Sequence, residues 1–185
     1  MTKHKERREN EMRKQKGFSL IELLIVVAII LIIAAIAIPN LLRARIAANE
    51  SSAVQSIRTI NTSEVTYQSQ FPNVGFASVI STLGPPSSAG CAAVTPSSTT
   101  ACLLDWVLAS ATGVATPKSG YYFTLPATVA AGGIVVDYTV NALPAVQGQS
   151  GVRNFCSNSD GVIRYSVSDT AAGSNALCSA FTALQ

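Results

Sequence analysis

The feature that most constrains this chain is an apolar run near its N-terminus. The sixteen residues from Leu23 to Ile38 are all Leu, Ile, Val or Ala. A helix needs about 20 mostly apolar residues to cross the hydrocarbon core of a bilayer. Residues 18–38 supply that length with a single ionisable side chain, Glu22. The run therefore predicts a membrane-spanning helix, and Glu22 requires a specific role because an ionised carboxylate is unfavourable in lipid.

The charges are divided unevenly between the two ends of the chain. Residues 1–17 carry seven basic and three acidic side chains, whereas the remainder of the 185 residues carries six basic and seven acidic ones. Lys and Arg beside a spanning helix hold that side in the cytoplasm. The sequence therefore predicts a cytoplasmic N-terminus and places everything after Pro39 outside the cytoplasmic membrane. Nucleic-acid binding is not indicated, because the net charge of +3 reflects the N-terminal residues.

Four cysteines, Cys91, Cys102, Cys156 and Cys178, lie in the part that is predicted to be exported, where disulfides persist. Four cysteines allow three pairings. The local pairs Cys91–Cys102 and Cys156–Cys178 are favoured, because each closes a loop rich in Ser, Thr, Asn and Gly. A zinc site is disfavoured, because the chain has no CxxC and its one histidine is His4. We expect no metal and no cofactor.

Apolar residues after Pro39 recur at steps of three or four, which predicts that the helix continues with one apolar stripe. The stripe consists of Leu42, Ile46, Val54, Ile57, Ile60, Tyr67 and Phe71. The charged residues predicted to lie off it are Arg43, Arg45, Glu50, Arg58 and Glu64. The whole helix, from Phe18 to Phe71, would measure about 80 Å. Pro39 is predicted to kink or open it, because proline removes a backbone hydrogen bond.

The rest of the chain predicts a small head domain. Residues 72–117 are rich in Ser, Thr, Pro and Gly, which indicates loops, with a short helix or strand at residues 103–109. Three segments rich in β-branched and aromatic residues predict strands at 120–125, 134–140 and 161–167. The expected fold class is α+β, with the amphipathic half of the long helix packed on a small antiparallel sheet.

No catalytic site can be assembled from these residues. The exported part has no histidine, which excludes Ser-His-Asp and Cys-His sites. It also has no Gly-rich loop followed by Lys, which excludes a phosphate-binding P-loop. Oxygen atoms of residues 158–161 are potential calcium ligands, but a turn that enters the third strand is the favoured interpretation. The sequence therefore predicts a protein that is not an enzyme.

The N-terminal region, over roughly residues 12–60, resembles that of type IV prepilins and the related pseudopilins. The motif is a basic leader that ends in Gly17, followed by Phe18, by Glu22 four residues later, and by the unbroken apolar run. The resemblance implies the type IV pilin fold, cleavage between Gly17 and Phe18 by a prepilin peptidase, and N-methylation of Phe18. The implied segments are a cleaved leader at 1–17, a transmembrane and assembly helix at 18–39, an amphipathic helical half at 40–71 and a head at 72–185.

Two alternatives at the N-terminus stay open. Small residues at 34–37 are compatible with cleavage there, as in a secretory signal, although the apolar region of such a signal has only about 7–15 residues. Translation can start at Met1 or at Met12, and the shorter leader from Met12 resembles that of the commoner pilin class.

Cleavage after Gly17 would give Glu22 a role. The new α-amine at Phe18 is positive below a pKa of about 8. In a bundle of identical helices, the amine of one subunit and Glu22 of a neighbour displaced by about one turn would neutralise each other. The alternative is a Glu22 that reaches the membrane interface or is protonated. The pairing hypothesis predicts that Glu22 governs both the recruitment of new subunits and the axial offset between neighbouring subunits during assembly.

The resemblance implies a structural subunit that sits in the inner membrane by one helix before assembly and in an extracellular pilus afterwards. Its implied partners are other copies of the chain through their N-terminal helices, a prepilin peptidase and the inner-membrane pilus assembly machinery. The implied roles of the filament are adhesion, twitching motility or DNA uptake. The alternatives are a type II secretion pseudopilin and a membrane-anchored binding domain that never polymerises.

Overall fold

The computed structural model describes residues 17–92, 94–130, 132–168 and 171–184. It divides the chain into two compact units, one that ends at Asn40 and one that runs from Leu41 to Gln185. Residues 1–16 of the predicted leader, with the alternative start at Met12, lie outside the described residues.

One long helix, α1, runs Leu20–Gln70 and includes Pro39. The three short helices in the described residues are α2 (Ile80–Leu83), α3 (Trp106–Ala109) and α4 (Asn175–Ser179). The strands are β1 (Tyr121–Thr124), β2 (Ala127–Val129), β3 (Val135–Pro144), β4 (Asn154–Asn158), β5 (Ile163–Ser166) and β6 (Thr182–Ala183). Helical conformation is present on both sides of Pro39, and the kink or local opening expected there stays a prediction.

The strands form one antiparallel sheet in the order β1-β3-β4-β5-β6, and β2 also pairs with β3. The predicted strands correspond to β1, β3 and β5, whereas β2, β4 and β6 were not predicted. Residues 103–109 contain the short helix α3, whose N-cap Asp105 accepts a hydrogen bond of 3.1 Å from the backbone N–H of Leu108.

One face of the sheet packs on residues 41–70 of α1. Ile57 and Ile60 of the helix are fully buried in one core cluster with Tyr138 of β3 and Phe155 of β4. The hydroxyl of Tyr138 also donates to Oδ1 of Asn61 on α1, at 3.2 Å. This packing confirms the predicted α+β class.

The buried face of α1 differs from the predicted stripe at two glutamates. Glu50 and Glu64 were predicted to lie off the stripe, but they are only 6% and 0% exposed. Leu42, predicted on the stripe, is 46% exposed. The prediction was wrong for the two glutamates because the head supplies hydrogen-bond donors to both, from Arg153 and from the backbone of Ala77. A count of apolar positions cannot detect such donors.

The opposite face of the sheet is covered by the C-terminal segment. The side-chain amide of Asn141 on β3 donates to the carbonyl of Ala172 at 3.1 Å, and its Oδ1 accepts from the Ala172 N–H at 3.0 Å. Cys156 of β4 and Cys178 of α4 form a small second core with Ala172. Both faces of β4 and of residues 138–144 of β3 are therefore buried, in three layers.

The structure contains two disulfides, and they follow the local pairing that the sequence favours. Cys91 and Cys102 are joined with their Cα atoms 6.0 Å apart. Cys156 and Cys178 are joined with their Cα atoms 5.9 Å apart, which ties α4 to β4 around the intervening strand β5.

Candidate assembly site

The site predicted from the sequence lies at the start of α1. Gly17 and Phe18 precede the helix, Leu20 is its first residue, and Glu22 lies in its first turn. The carbonyl of Ser19 accepts the first helical hydrogen bond, from the N–H of Leu23 at 3.2 Å. Ser19 therefore occupies the N-cap position, and a Ser with a Glu three residues later is a known helix-start pattern. Sequence reasoning missed this local signal.

Glu22 is exposed and has no ion-pair partner among the described residues. A carboxylate in the first helical turn interacts favourably with the positive end of the helix dipole. Phe18 is 82% exposed and lies at the same end of the helix. The Glu22 carboxyl group and the position of the implied new amine are thus both exposed at this end of α1.

The apolar run offers an uncovered surface. The most apolar 18-residue window of α1 has a mean hydropathy of 3.3, and none of it is buried. Its large apolar side chains, from Phe18 to Leu42, are 46–82% exposed. Contiguous apolar surface of this extent is unfavourable in water. Lipid or other helices must therefore cover it.

The comparisons with known proteins concern this same region. The prokaryotic N-terminal methylation motif matches residues 12–38. The chain is 68% identical over 40 residues to the type IV wide pilus major component PilA4 of Thermus thermophilus, which covers 22% of this chain and 30% of that protein. It is 41% identical over 71 residues to the type IV major pilin protein PilA of Myxococcus xanthus, which covers 35% of this chain and 32% of that protein. Motif, relatives and fold support a type IV pilin.

The chain spans about a third of the length of these curated relatives. No solved structure matches it. The relatives are structural components of pili by their names, which agrees with the prediction that the chain is not an enzyme.

The turn at residues 158–161 holds an ion pair. The carboxylate of Asp160 accepts from the N–H of Val162 at 2.9 Å and pairs with Arg164 at 2.7 Å. The hydrogen bond from Arg164 lowers the pKa of Asp160 below its usual value. Its oxygens are thus occupied within the turn. Among the described residues, no group of three or more His, Cys, Asp or Glu side chains is placed to hold a metal ion.

Glu50 fixes the loop between β3 and β4 onto α1. Its Oε1 accepts from the backbone N–H groups of Val152 and Arg153, at 3.0 and 3.1 Å. Its Oε2 accepts from Nε and Nη2 of Arg153, at 2.8 and 2.7 Å. Both oxygens of this carboxylate are therefore compensated by a cation and by peptide donors.

Glu64 has no such compensation. Its Oε2 accepts from the N–H of Ala77 at 2.8 Å, and its buried Oε1 has no hydrogen-bond partner among the described residues. Burial raises the pKa of Glu64 from 4.5 to about 8, against a smaller opposite effect of the Ala77 N–H. Glu64 is therefore mostly protonated at neutral pH in the folded head.

Proposed function

We propose that the chain is the prepilin of a type IV pilus. It is inserted into the inner membrane by one helix with its N-terminus in the cytoplasm. A prepilin peptidase cleaves it between Gly17 and Phe18, and Phe18 is then methylated. The inner-membrane assembly machinery polymerises it through its N-terminal helices. The observation that carries this proposal is the methylation motif at residues 12–38, which coincides with an apolar helix whose most apolar window is not buried by any of the described residues.

The uncovered helix supports polymerisation. Cleavage after Gly17 leaves the whole apolar run on the mature chain, so its exposed side chains need cover after the subunit leaves the membrane. Identical helices in a bundle supply that cover, with one buried anion and one buried cation per subunit. Burying either charge alone would cost free energy, and the pairing of Glu22 with the Phe18 amine of a neighbour offsets that cost.

The names of the relatives favour a pilus over a secretion pseudopilin, because one is a pilus component and the other a major pilin. Surface attachment, twitching motility and DNA uptake are the proposed roles of the filament. Each of these roles requires the same polymer, so the polymer is the first element to test.

Fibres sheared from the cell surface should contain this chain with the intact mass of Phe18–Gln185 plus one methyl group. The non-reduced mass should lie below the reduced one by the four hydrogens of two disulfides. The same processed mass found only in membranes would favour the pseudopilin. An unprocessed chain found in membranes would reject both the pilin and the pseudopilin and would favour the anchored binding domain.

Glu22→Gln is expected to lower the amount of sheared filament at least about tenfold, which equals ~1.4 kcal/mol of assembly free energy per step. The change removes the anion and keeps the side-chain shape. Membrane fractions should still contain the processed chain at its usual level.

Ser19→Ala is the matched control for Glu22→Gln. It removes the N-cap hydroxyl of α1 but keeps the Glu22 carboxyl group, so filament yield should fall by less than about fivefold, since a lost cap costs ~1 kcal/mol or less at an exposed helix end. If both variants lowered the yield equally, Glu22 would act through helix capping and the pairing hypothesis would be rejected.

A further inference from the structure

We propose that a pocket at the start of the head binds the phosphate of an anionic phospholipid headgroup. The pocket, of about 380 Å³, lies between α1, the turn before β1 and the loop between β3 and β4. Its polar lining includes Arg45, Asn49, Ser119, Gln149 and Ser150. The inference rests on the membrane insertion proposed above and assigns this pocket to the state before assembly.

The pocket carries an uncompensated positive charge. Arg45 is the charged residue in its lining, and among the described residues it has no ion pair and no side-chain hydrogen bond. The carboxylate nearest to it along α1, Glu50, is neutralised by Arg153. An anion that enters the pocket therefore meets a free guanidinium, which suits the geometry of a phosphate.

A tight turn adds uncharged donors to the same pocket. Ser119 and Gly120 both have positive φ, 49° and 75°, and backbone hydrogen bonds between Lys118 and Tyr121 close the turn at 2.8 and 3.0 Å. In the described part of the chain, the N–H groups of Ser119 and Gly120 and the Ser119 hydroxyl make no hydrogen bond. Free N–H groups of a turn are common anion ligands.

The walls of the pocket are held in place without using these donors. The side-chain amide of Asn49 donates to the carbonyl of Ser150 at 2.8 Å, which fixes the loop to α1. The loop is further held through Glu50, as described above. The backbone of the turn and of the loop is therefore held in place before a ligand binds, and the exposed Arg45 side chain is the group that has to be ordered around it.

The position of Arg45 selects a lipid as the source of the phosphate. Arg45 follows Ile38, the end of the apolar run, by seven residues. Seven residues of helix span at most about 10 Å, whatever the angle at Pro39, and the headgroup layer extends roughly 5–8 Å beyond the hydrocarbon core. Side chains on a helix lean towards its N-terminus, so the long Arg45 side chain reaches back into that layer. Anionic lipid is favoured because Arg45 would repel a headgroup ammonium.

Arg43 provides a matched control. It is exposed, has no ion pair in the described residues, and lies within two residues of Arg45 at the same membrane depth. Two residues correspond to about 200° around a helix, so Arg43 is on the opposite side of α1 and does not line the pocket.

The experiment uses the full chain in nanodiscs of phosphatidylglycerol or phosphatidylcholine, with retained lipids counted by native mass spectrometry after mild detergent transfer. The wild-type chain should retain one phosphatidylglycerol and no phosphatidylcholine. Arg45→Gln should weaken this retention at least about fivefold, and Arg43→Gln by less than about twofold. Ser119→Asp should abolish it by charge repulsion, whereas Ser119→Asn should keep it. Asp and Asn both tolerate a positive φ.

Equal losses in Arg43→Gln and Arg45→Gln would overturn the proposal, because they would indicate general attraction to a charged surface. Equal retention of the two lipids, or displacement by millimolar inorganic phosphate, would also overturn the lipid assignment. The lipid assignment would also be overturned by a dimer in which Arg45 pairs with a carboxylate of the second copy and no lipid is retained. Flotation of the full chain with lipid vesicles tests membrane insertion separately. A chain that does not float would reject the membrane insertion on which the proposed function rests. A chain that floats but retains phosphatidylglycerol equally well without Arg45 would reject only the lipid-binding inference.

Discussion

Glu64→Gln is expected to remove most of the pH dependence of the head's stability and to stabilise the folded chain above pH 7. Glu64 is fully buried, its Oε1 has no hydrogen-bond partner in the part of the chain that the structure describes, and burial raises its pKa to about 8. A glutamine keeps an acceptor for the Ala77 N–H and cannot ionise. The variant therefore has nothing to deprotonate as the pH rises.

The sign follows from proton counting. Between the unfolded pKa of 4.5 and the folded pKa of about 8, the folded chain holds a proton at Glu64 that the unfolded chain has released. The free energy of unfolding therefore falls as the pH rises through this window. The stabilising contribution of the proton on Glu64 is present in full below pH 4.5 and is lost above pH 8. At 1.36 kcal/mol per pKa unit, the total change is on the order of 5 kcal/mol.

Two tyrosines are the titratable neighbours of Glu64. Burial, and then the charge of Glu64, raises the pKa values of Tyr67 and Tyr138, so both stay protonated throughout this range. The measurement is urea unfolding of the full chain in detergent at pH 5, 6.5 and 8.5, with Trp106 fluorescence as the signal. Equal stability of the wild-type chain at pH 5 and 8.5 would contradict a neutral buried Glu64.

The long helix could be predicted from the sequence because its signals are local. The apolar run and the stripe at steps of three or four each extend over neighbouring turns of one helix. The end of the helix is local as well, because Pro72 cannot continue a helix, and α1 ends at Gln70, two residues before it. The helix start was predicted two residues early, because Ser19 was not interpreted as an N-cap. The Ser19–Glu22 pattern was present in the sequence and would have corrected it.

Strand β4 could not be predicted, because its partners lie far away in the sequence. Residues 154–158, Asn-Phe-Cys-Ser-Asn, have only one large apolar side chain, Phe155, which enters the core. The side-chain amide of Asn158 donates instead to the carbonyl of Asn175 at 3.2 Å and to the Ser179 hydroxyl at 3.1 Å. A polar strand can be buried only when such a covering segment exists, and the pattern of the strand does not show it.

The same limitation applies to the candidate sites. Gly17, Phe18 and Glu22 could be selected from the sequence because their spacing forms a local motif. The pocket at Arg45 could not, because the sequence places Ser119 and Ser150 more than 70 residues away from it. Both buried glutamates of α1 were missed for this reason.

Glu50→Gln is expected to destabilise the head by about 3 kcal/mol at pH 7.5, the opposite sign from the same substitution at Glu64. Removing one partner of a buried ion pair leaves the other charge uncompensated, which costs about 3–5 kcal/mol when both are fully buried. The expected loss is at the low end, because the side chain of Arg153 is 38% exposed and water can solvate it.

The comparison is sharp because both positions are buried glutamates on α1 and both receive the same substitution. Urea unfolding of the two variants at pH 7.5 should place them on opposite sides of the wild-type chain. Asp160→Asn is the exposed control, since it breaks the surface pair with Arg164 and should cost less than about 1 kcal/mol. If Glu50→Gln and Asp160→Asn had equal effects, Glu50 would not hold a buried charge pair.

Glu50 also connects the stability of the head to the proposed lipid pocket. It anchors the backbone at Val152 and Arg153, directly after the loop residues Gln149 and Ser150 that line the pocket. Loosening this loop would move the pocket wall away from Arg45 while Arg45 itself stays intact. Glu50→Gln should therefore weaken phosphatidylglycerol retention together with stability, whereas Glu64→Gln should leave retention unchanged. A parallel loss in Glu64→Gln would mean that retention follows overall head stability and not the loop.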